Sequence, residues 1–286
     1  MKKPGFLFAF MSLAGTLFDV RQHSRAAEGA EDKPMSSLSQ HQSEALDAYE
    51  VLQRAHPELF RGRVVRPIVL NRDVLAAYAR EHNVVLGVAV ETPYVYFIND
   101  LVESRGENGA IARHPYLRVV SRGQLNGGKN VVVIATIENS ELGEKGSVVF
   151  VTQERHALGE SEIELPRGFG EAGLSGEANA LKELAEETGY IGDHAYLLGS
   201  LYTDSGLTDS MVSFYHVPVL RIQAARPETK EAISKVSLAS RAEIWKQVAA
   251  GHMRDNFTVT ALSLYEVAQR GLAPGPKGVD SDRNDQ

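Results

Sequence analysis

The sequence predicts an α/β protein, and three observations indicate this fold class. The chain has 286 residues, of which 43% are hydrophobic and 23% charged, so it is long enough to bury a sizeable core. Over residues 126–272, runs rich in β-branched and aromatic residues alternate with segments of helical periodicity. Residues 37–125 contain both patterns as well, and they are predicted to form an N-terminal α+β extension.

The N-terminal extension is predicted to contain two helices and several strands. Apolar residues at helical spacing indicate helices over residues 41–56 and 74–82. Strands are predicted for four apolar runs: IVL at 68–70, NVVLGVAVET at 83–92, YVYFIND at 94–100 and YLRVVSRG at 116–123. Residues 106–115 are predicted to form a loop, and GQLNGGKN at 123–130 is predicted to form a turn.

The region over residues 126–272 alternates strands with helices. Its predicted strands are VVVIATI at 131–137, SVVFVTQ at 147–153, IELP at 163–166, YLLGSLYT at 196–203 and MVSFYHVPVL at 211–220. Helices are predicted near residues 176–188, 241–251 and 258–271. Trp245 shares the second of these helices with apolar residues, so we expect its side chain in the core.

Both ends of the chain are predicted to lie outside the folded regions. In residues 1–36, an apolar run at 5–18 follows Lys2 and Lys3; it is too short to span a membrane and has the length of a signal-peptide core. The charged residues that follow at once fit a disordered leader instead. We therefore expect a cytoplasmic protein without stable membrane insertion, with export as the alternative. Residues 273–286, rich in proline, glycine and charge, are predicted to be disordered.

The composition excludes several kinds of site and partner. The chain contains no cysteine, which excludes disulfides, thiolate catalysis and zinc–cysteine centres. Its net charge is −7, and it lacks the basic stripe that is typical of nucleic-acid-binding proteins. An acidic protein that handles phosphates needs local cations or metal ions to do so.

Residues 166–190, PRGFGEAGLSGEANALKELAEETGY, place a glycine-rich loop before a short helix. Ser175 is a plausible N-cap, and Gly189 is a natural residue to end the helix. Glu183, Glu186 and Glu187 are three and four positions apart, so all three carboxylates can share one face. Such a face fits a hard divalent cation such as Mg²⁺ or Mn²⁺, although a solvated acidic face is the alternative.

The stretch from Gly168 to Tyr190 resembles the Nudix box, Gly-x5-Glu-x7-Arg-Glu-U-x-Glu-Glu-x-Gly-U, where U is a bulky apolar residue. It departs from that pattern at Leu174, where the family has glutamate, and at Lys182, where it has arginine. The preceding FVTQERHALGESEIELPRGFGE and a G-x-x-x-D turn at 251–255 resemble ADP-ribose and ADP-sugar pyrophosphatases. The resemblance covers about residues 130–272 and implies an α/β/α sandwich with a mixed sheet.

The resemblance implies a metal-dependent hydrolase that cleaves the pyrophosphate of ADP-ribose or another nucleoside diphosphate linked to a group X. The implied metal ligands are Glu183 and Glu187, then Glu186, with a backbone carbonyl near Arg167–Gly168. Glycine at 168 would let the backbone come close to metal or phosphate. Beyond the Nudix box, the acidic loop RPETKEAIS contains the two implied candidates for the general base, Glu228 and Glu231.

Two further residues are candidates for substrate binding. Arg155 has the planar fork that suits phosphate, with a surface arginine at a strand edge as the alternative. Glu164 could bind a substrate amine or ribose, or it could form a structural ion pair. The changes at Leu174 and Lys182 leave open a weakly active nucleotide-binding module, and a dinucleoside polyphosphate or coenzyme A derivative is an alternative substrate. The N-terminal extension is expected to pack against this core or against a second subunit of a homodimer.

Overall fold

The protein is described by a computed structural model that covers residues 37–61, 65–106, 108–225 and 232–271. The predicted leader, residues 1–36, and the predicted tail, residues 273–286, lie outside the described residues. In the described ranges, no helix is both long enough and apolar enough to cross a membrane.

The N-terminal extension consists of two helices packed on a three-stranded antiparallel sheet. Helices α1 (Gln40–Ala55) and α2 (Arg72–His82) flank a short 3₁₀ helix, Pro57–Phe60, and strands β1 (Gly87–Glu91), β2 (Val95–Arg105) and β3 (Ile111–Ser121) follow in sheet order β1-β2-β3. Ser39 caps α1 in a reciprocal capping box with Gln42, which satisfies two backbone donors that the helix cannot. Leu46, Tyr49 and Leu101 belong to the shared apolar core of this unit.

A seven-stranded mixed sheet forms the second unit. After the short helix α3 (Arg122–Leu125), its strands are β4 (Asn130–Ile137), β5 (Val148–Arg155), β6 (Glu160–Glu164), β7 (Arg167–Gly168), β9 (Tyr196–Tyr202), β10 (Met211–Val219) and β12 (Ile233–Ala239). The main order is β12-β5-β4-β10-β9, with β6 paired to β5 and β7 paired to β4. Strand β10 runs parallel to β4, and the other pairs are antiparallel. Strands β8 (Tyr190–Ile191) and β11 (Arg221–Ile222) form a separate pair.

Helices cover both faces of the seven-stranded sheet. Helix α4 (Gly176–Thr188) packs on one face, and α5 (Arg241–Ala249) and α6 (Asn256–Gln269) pack on the other. All eight residues of β4 are buried, and they alternate between the two apolar clusters because successive side chains of a strand point to opposite faces. The predicted α/β/α sandwich with a mixed sheet is therefore confirmed.

Strands β4 and β5 separate along their length, and a chain segment fills the gap between them. They pair at Thr136 and Val148, but farther along β5 pairs with β6 and β4 pairs with β7. The segment that joins β6 to β7, residues 165–166, thus runs between the two central strands. It leads directly into the glycine-rich loop and α4.

Three local predictions were wrong. Strand β3 already begins at Ile111, inside the predicted loop, because β2 pairs with it along its full length. The predicted strand after Pro67 is reduced to one bridge, Ile68 to Val102. Trp245 was expected in the core, but it is 36% exposed because its neighbour Ile244 occupies the side of α5 that faces the sheet.

Candidate active site

Helix α4 forms where the sequence predicts it, with both predicted ends. The Ser175 hydroxyl accepts a hydrogen bond from the Ala178 backbone N–H at 3.1 Å, and the helix ends at Gly189, whose φ is +77°. A side chain at Gly189 would be strained by this φ and would overlap the Gln223 carbonyl, so only glycine fits there. Ala180 and Leu184 are fully buried against the sheet, which sets the orientation of the helix.

Two of the three predicted glutamates face the segment Arg167–Gly168. Glu183 and Glu187 are four positions apart and only 6% and 2% exposed. A Glu187 carboxylate oxygen accepts a hydrogen bond from the Arg167 backbone N–H at 3.2 Å. The Glu183 carboxylate lies against the α-carbon of Gly168, since a Cβ built there would overlap its carboxyl atoms. The structure therefore brings two buried carboxylates to the backbone of the glycine-rich loop.

The third glutamate, Glu186, has a different environment. Its side chain is 42% exposed, and it accepts a hydrogen bond from the Lys182 ammonium at 2.7 Å. That hydrogen bond raises the pKa of Lys182 well above its ordinary value. The same ammonium lies 3.3 Å from Glu171 and 3.8 Å from Glu183. The Lys182 side chain therefore forms ion pairs with three carboxylates. Within the described residues, no group of three acidic or histidine side chains is close enough to hold a metal ion as it stands.

The donor set nevertheless fits a hard divalent cation. Glu183 and Glu187 present carboxylate oxygens, which Mg²⁺ and Mn²⁺ prefer, and Mg²⁺ is commonly held by one or two carboxylates plus substrate phosphates. Gly168 leaves room for the backbone to approach, because a side chain there would collide with Glu183. The carbonyl of Arg167 belongs to this same two-residue strand.

The predicted substrate ligands Arg155 and Glu164 form an ion pair with each other. Arg155 Nε donates to a Glu164 oxygen at 2.8 Å, and Arg167 Nη2 lies 2.8 Å from the other oxygen. Arg167 also pairs with Asp255 at 3.2 Å and stacks over the Phe257 ring at 4.7 Å from its centroid. Burial opposes the charge of Arg155, but the Glu164 carboxylate offsets it and the pKa of Arg155 is raised. Burial lowers the pKa of Arg167.

Several residues that hold the loop were not identified from the sequence. The Gly170 backbone N–H donates to Asn130 Oδ1 at 3.1 Å. Asn179 Nδ2 donates to the carbonyls of Phe169 at 3.2 Å and Lys129 at 3.1 Å. The available signal was Asn179 itself, a polar residue among the alanines and leucines on the packing side of the predicted helix. Glu228 and Glu231, the predicted general bases, lie outside the described residues.

Replacing Gly168 by alanine is expected to weaken cation binding more than it weakens the fold. The new methyl group must displace the Glu183 carboxylate, which is the mobile end of a side chain, so the unfolding free energy should fall by only about 1–3 kcal/mol. We expect the Mg²⁺ affinity, measured by calorimetry, to fall about 10–100-fold, as when a ligand loses its support. Gly199→Ala is the control, since its Cβ would meet Leu264 at an ordinary 3.7 Å. Equal Mg²⁺ affinity in the two variants would contradict the assignment.

Comparisons with known proteins match the part of the chain that carries these residues. A family model described as NUDIX domain matches residues 128–258. An ADP-ribose pyrophosphatase of Bacillus subtilis is 26% identical over 130 residues, which cover 44% of this chain and 70% of that protein. An ADP-sugar pyrophosphatase of Mus musculus is 45% identical over 62 residues, 22% of this chain and 28% of that protein. A solved structure, "Crystal structure of ADP compounds hydrolase", has a TM-score of 0.49 and 14% identity, with 64% of this chain and 92% of that chain covered.

Proposed function

We propose, from the premise that this chain contains a Nudix domain and is ADP-ribose pyrophosphatase-like, that it hydrolyses the pyrophosphate bond of ADP-ribose or a closely related nucleoside diphosphate sugar. The observation that carries the proposal is the pair of buried carboxylates, Glu183 and Glu187, placed against the Arg167–Gly168 backbone. Two relatives, the ADP-ribose pyrophosphatase of Bacillus subtilis and the ADP-sugar pyrophosphatase of Mus musculus, support the substrate class.

Mg²⁺ or Mn²⁺ is the proposed cofactor, held by Glu183 and Glu187. The Arg167 carbonyl is proposed as a further oxygen ligand and Glu186 as a more distant one. When bound, a divalent cation neutralises phosphate charge and makes a water molecule nucleophilic near neutral pH. Two contacts support metal binding by these carboxylates. Helix α4 is capped at both ends, by Ser175 and Gly189, and the Arg167 backbone N–H donates a hydrogen bond to Glu187.

Lys182 keeps a positive charge beside the proposed metal ligands, which is compatible with hydrolysis. The Nudix pattern has arginine at this position, and the lysine ammonium still lies 3.8 Å from Glu183 and 2.7 Å from Glu186. Positive charge is thus retained beside the two glutamates. A lysine is a point charge rather than a planar fork, so we infer that it orients Glu183 less strictly than arginine would.

Arg155 is proposed to orient a substrate phosphate, with Glu164 as its support. Glu164 is buried and fixes one side of the guanidinium, whereas the Arg155 side chain is 29% exposed and accessible to a ligand. A guanidinium suits this role because it can bind phosphate through parallel N–H groups. Glu231 and Glu228 are kept as proposed general bases, which Glu231→Gln and Glu228→Gln would distinguish by their effects on kcat.

A substrate panel tests the proposed function directly. The purified full-length chain, with Mg²⁺ or Mn²⁺, is expected to convert ADP-ribose to AMP and ribose 5-phosphate, measured by chromatography, and EDTA should stop the reaction. The panel includes other ADP-sugars, a dinucleoside polyphosphate and coenzyme A as competing substrate classes. Tight calorimetric binding of ADP-ribose without product from any compound would overturn the proposal and favour a nucleotide-binding module.

A further inference from the structure

We propose that Asp255 and Thr258, at the start of helix α6, are positioning residues of the active site. They hold the segment Leu165–Arg167 so that the Arg167–Gly168 backbone meets Glu183 and Glu187. This inference rests on the proposed metal site, and it gives a role to two residues on the opposite face of the sheet from α4.

Thr258 holds the first residue of the segment. Its hydroxyl oxygen accepts a hydrogen bond from the Leu165 backbone N–H at 3.0 Å, across 93 positions of sequence. The same hydroxyl donates to Asp255 Oδ2 at 2.8 Å, and Thr258 is fully buried. A threonine hydroxyl has one proton and accepts through lone pairs, so these two bonds determine its orientation.

Asp255 holds the last residue of the segment. Its Oδ1 pairs with Arg167 Nη1 at 3.2 Å, while its Oδ2 accepts from the Thr258 backbone N–H at 2.8 Å as the N-cap of α6. Between the two held residues, the Pro166 carbonyl accepts from the Val133 backbone N–H at 2.8 Å. Hydrogen bonds and an ion pair therefore connect the segment to α6 and to β4. The Arg167 backbone N–H also donates a hydrogen bond to Glu187 on α4.

The negative charge of Asp255 also balances the charge of the arginines around Glu164. Arg155 and Arg167 face two carboxylates, Glu164 and Asp255, so the four charges of this partly buried group sum to zero. Without the Asp255 charge, two guanidinium groups share one carboxylate. Glu187, a proposed metal ligand, already contacts Arg167 by accepting a hydrogen bond from its backbone N–H at 3.2 Å, and its charge also acts on the Arg167 guanidinium. We infer that Asp255 keeps the Arg167 side chain from competing with the cation for Glu187.

The test distinguishes the proposed positioning role of Asp255 from its role as the N-cap of α6. Asn caps helices about as well as Asp, so Asp255→Asn keeps the cap and removes the charge. Mn²⁺ binding, measured by the electron paramagnetic resonance of the free ion, needs no turnover. We expect Asp255→Asn to weaken Mn²⁺ binding about tenfold, within the 10–100-fold range typical of supporting residues. Thr258→Val should weaken it as well, and Thr258→Ser, which keeps the hydroxyl, should restore it.

Ser240→Ala is the matched control. Ser240 caps α5 through the Glu243 backbone N–H at 3.3 Å, on the same face of the sheet but outside the segment 165–167. Its loss should lower thermal stability without changing Mn²⁺ affinity. Mn²⁺ affinity of Asp255→Asn within twofold of wild type would overturn the inference, as would a wild-type protein that binds no Mn²⁺. If wild type binds Mn²⁺ but hydrolyses nothing, the proposed function fails while the positioning role is still decided by these affinities.

Discussion

Replacing Glu187 by glutamine is expected to lower kcat for ADP-ribose hydrolysis by about 10²–10⁴-fold. Glutamine keeps an oxygen that can accept the hydrogen bond from the Arg167 backbone N–H, but it loses the negative charge that a hard cation needs. Bound metal supplies several kcal/mol of charge stabilisation, and about 1.4 kcal/mol corresponds to a tenfold change in rate. Steady-state kinetics at saturating Mg²⁺ measures the effect.

Glu177→Gln is the matched control for this change. Glu177 lies in the first turn of the same helix, and its side chain is 52% exposed. We expect its rate to equal that of wild type. Without metal, Glu187→Gln should unfold at about the wild-type temperature, because glutamine has a similar volume and keeps an oxygen that accepts from the Arg167 backbone N–H. A Glu187→Gln enzyme that keeps more than one tenth of the wild-type rate would exclude Glu187 as an essential ligand.

Replacing Asp100 by alanine is expected to lower the free energy of unfolding by about 3–5 kcal/mol, the cost of leaving a buried charge without its partner. Asp100 and Arg118 are both buried, with Arg118 Nε 2.6 Å from Asp100 Oδ2. The Tyr49 hydroxyl also donates to Asp100, which ties helix α1 to strand β2. Urea denaturation followed by circular dichroism measures the loss.

Asp47→Ala is the control for the buried pair. Asp47 pairs with Arg72 at the same 2.6 Å, but its side chain is 63% exposed. Exposed pairs contribute about 0–1 kcal/mol, so Asp47→Ala should change stability little. If both variants lose the same small amount of unfolding free energy, the Asp100–Arg118 pair does not stabilise the N-terminal extension.

The sequence predicted those features of the candidate site that depend on residues close together along the chain. Ser175, Gly189 and the spacing of Glu183 and Glu187 predicted the helix, its ends and two carboxylates on one side. The sequence could not separate Glu186 from this pair, because helical spacing places all three on neighbouring positions. Packing of α4 on the sheet decided the difference: it buries Glu183 and Glu187, whereas Glu186 stays 42% exposed in its local i,i+4 pair with Lys182.

The sequence by itself determined the capped helix α4 and the acidic residues on it, since these depend on interactions within about four positions along the chain. It predicted most strands from their composition, but the start of β3 depended on pairing with β2. Only the tertiary structure decided what those acids face. Arg167 meets Asp255 across 88 positions, and Leu165 meets Thr258 across 93. Such contacts exist only after the sheet and its two helix layers have assembled, because packing of apolar faces, and not local propensity, brings these segments together.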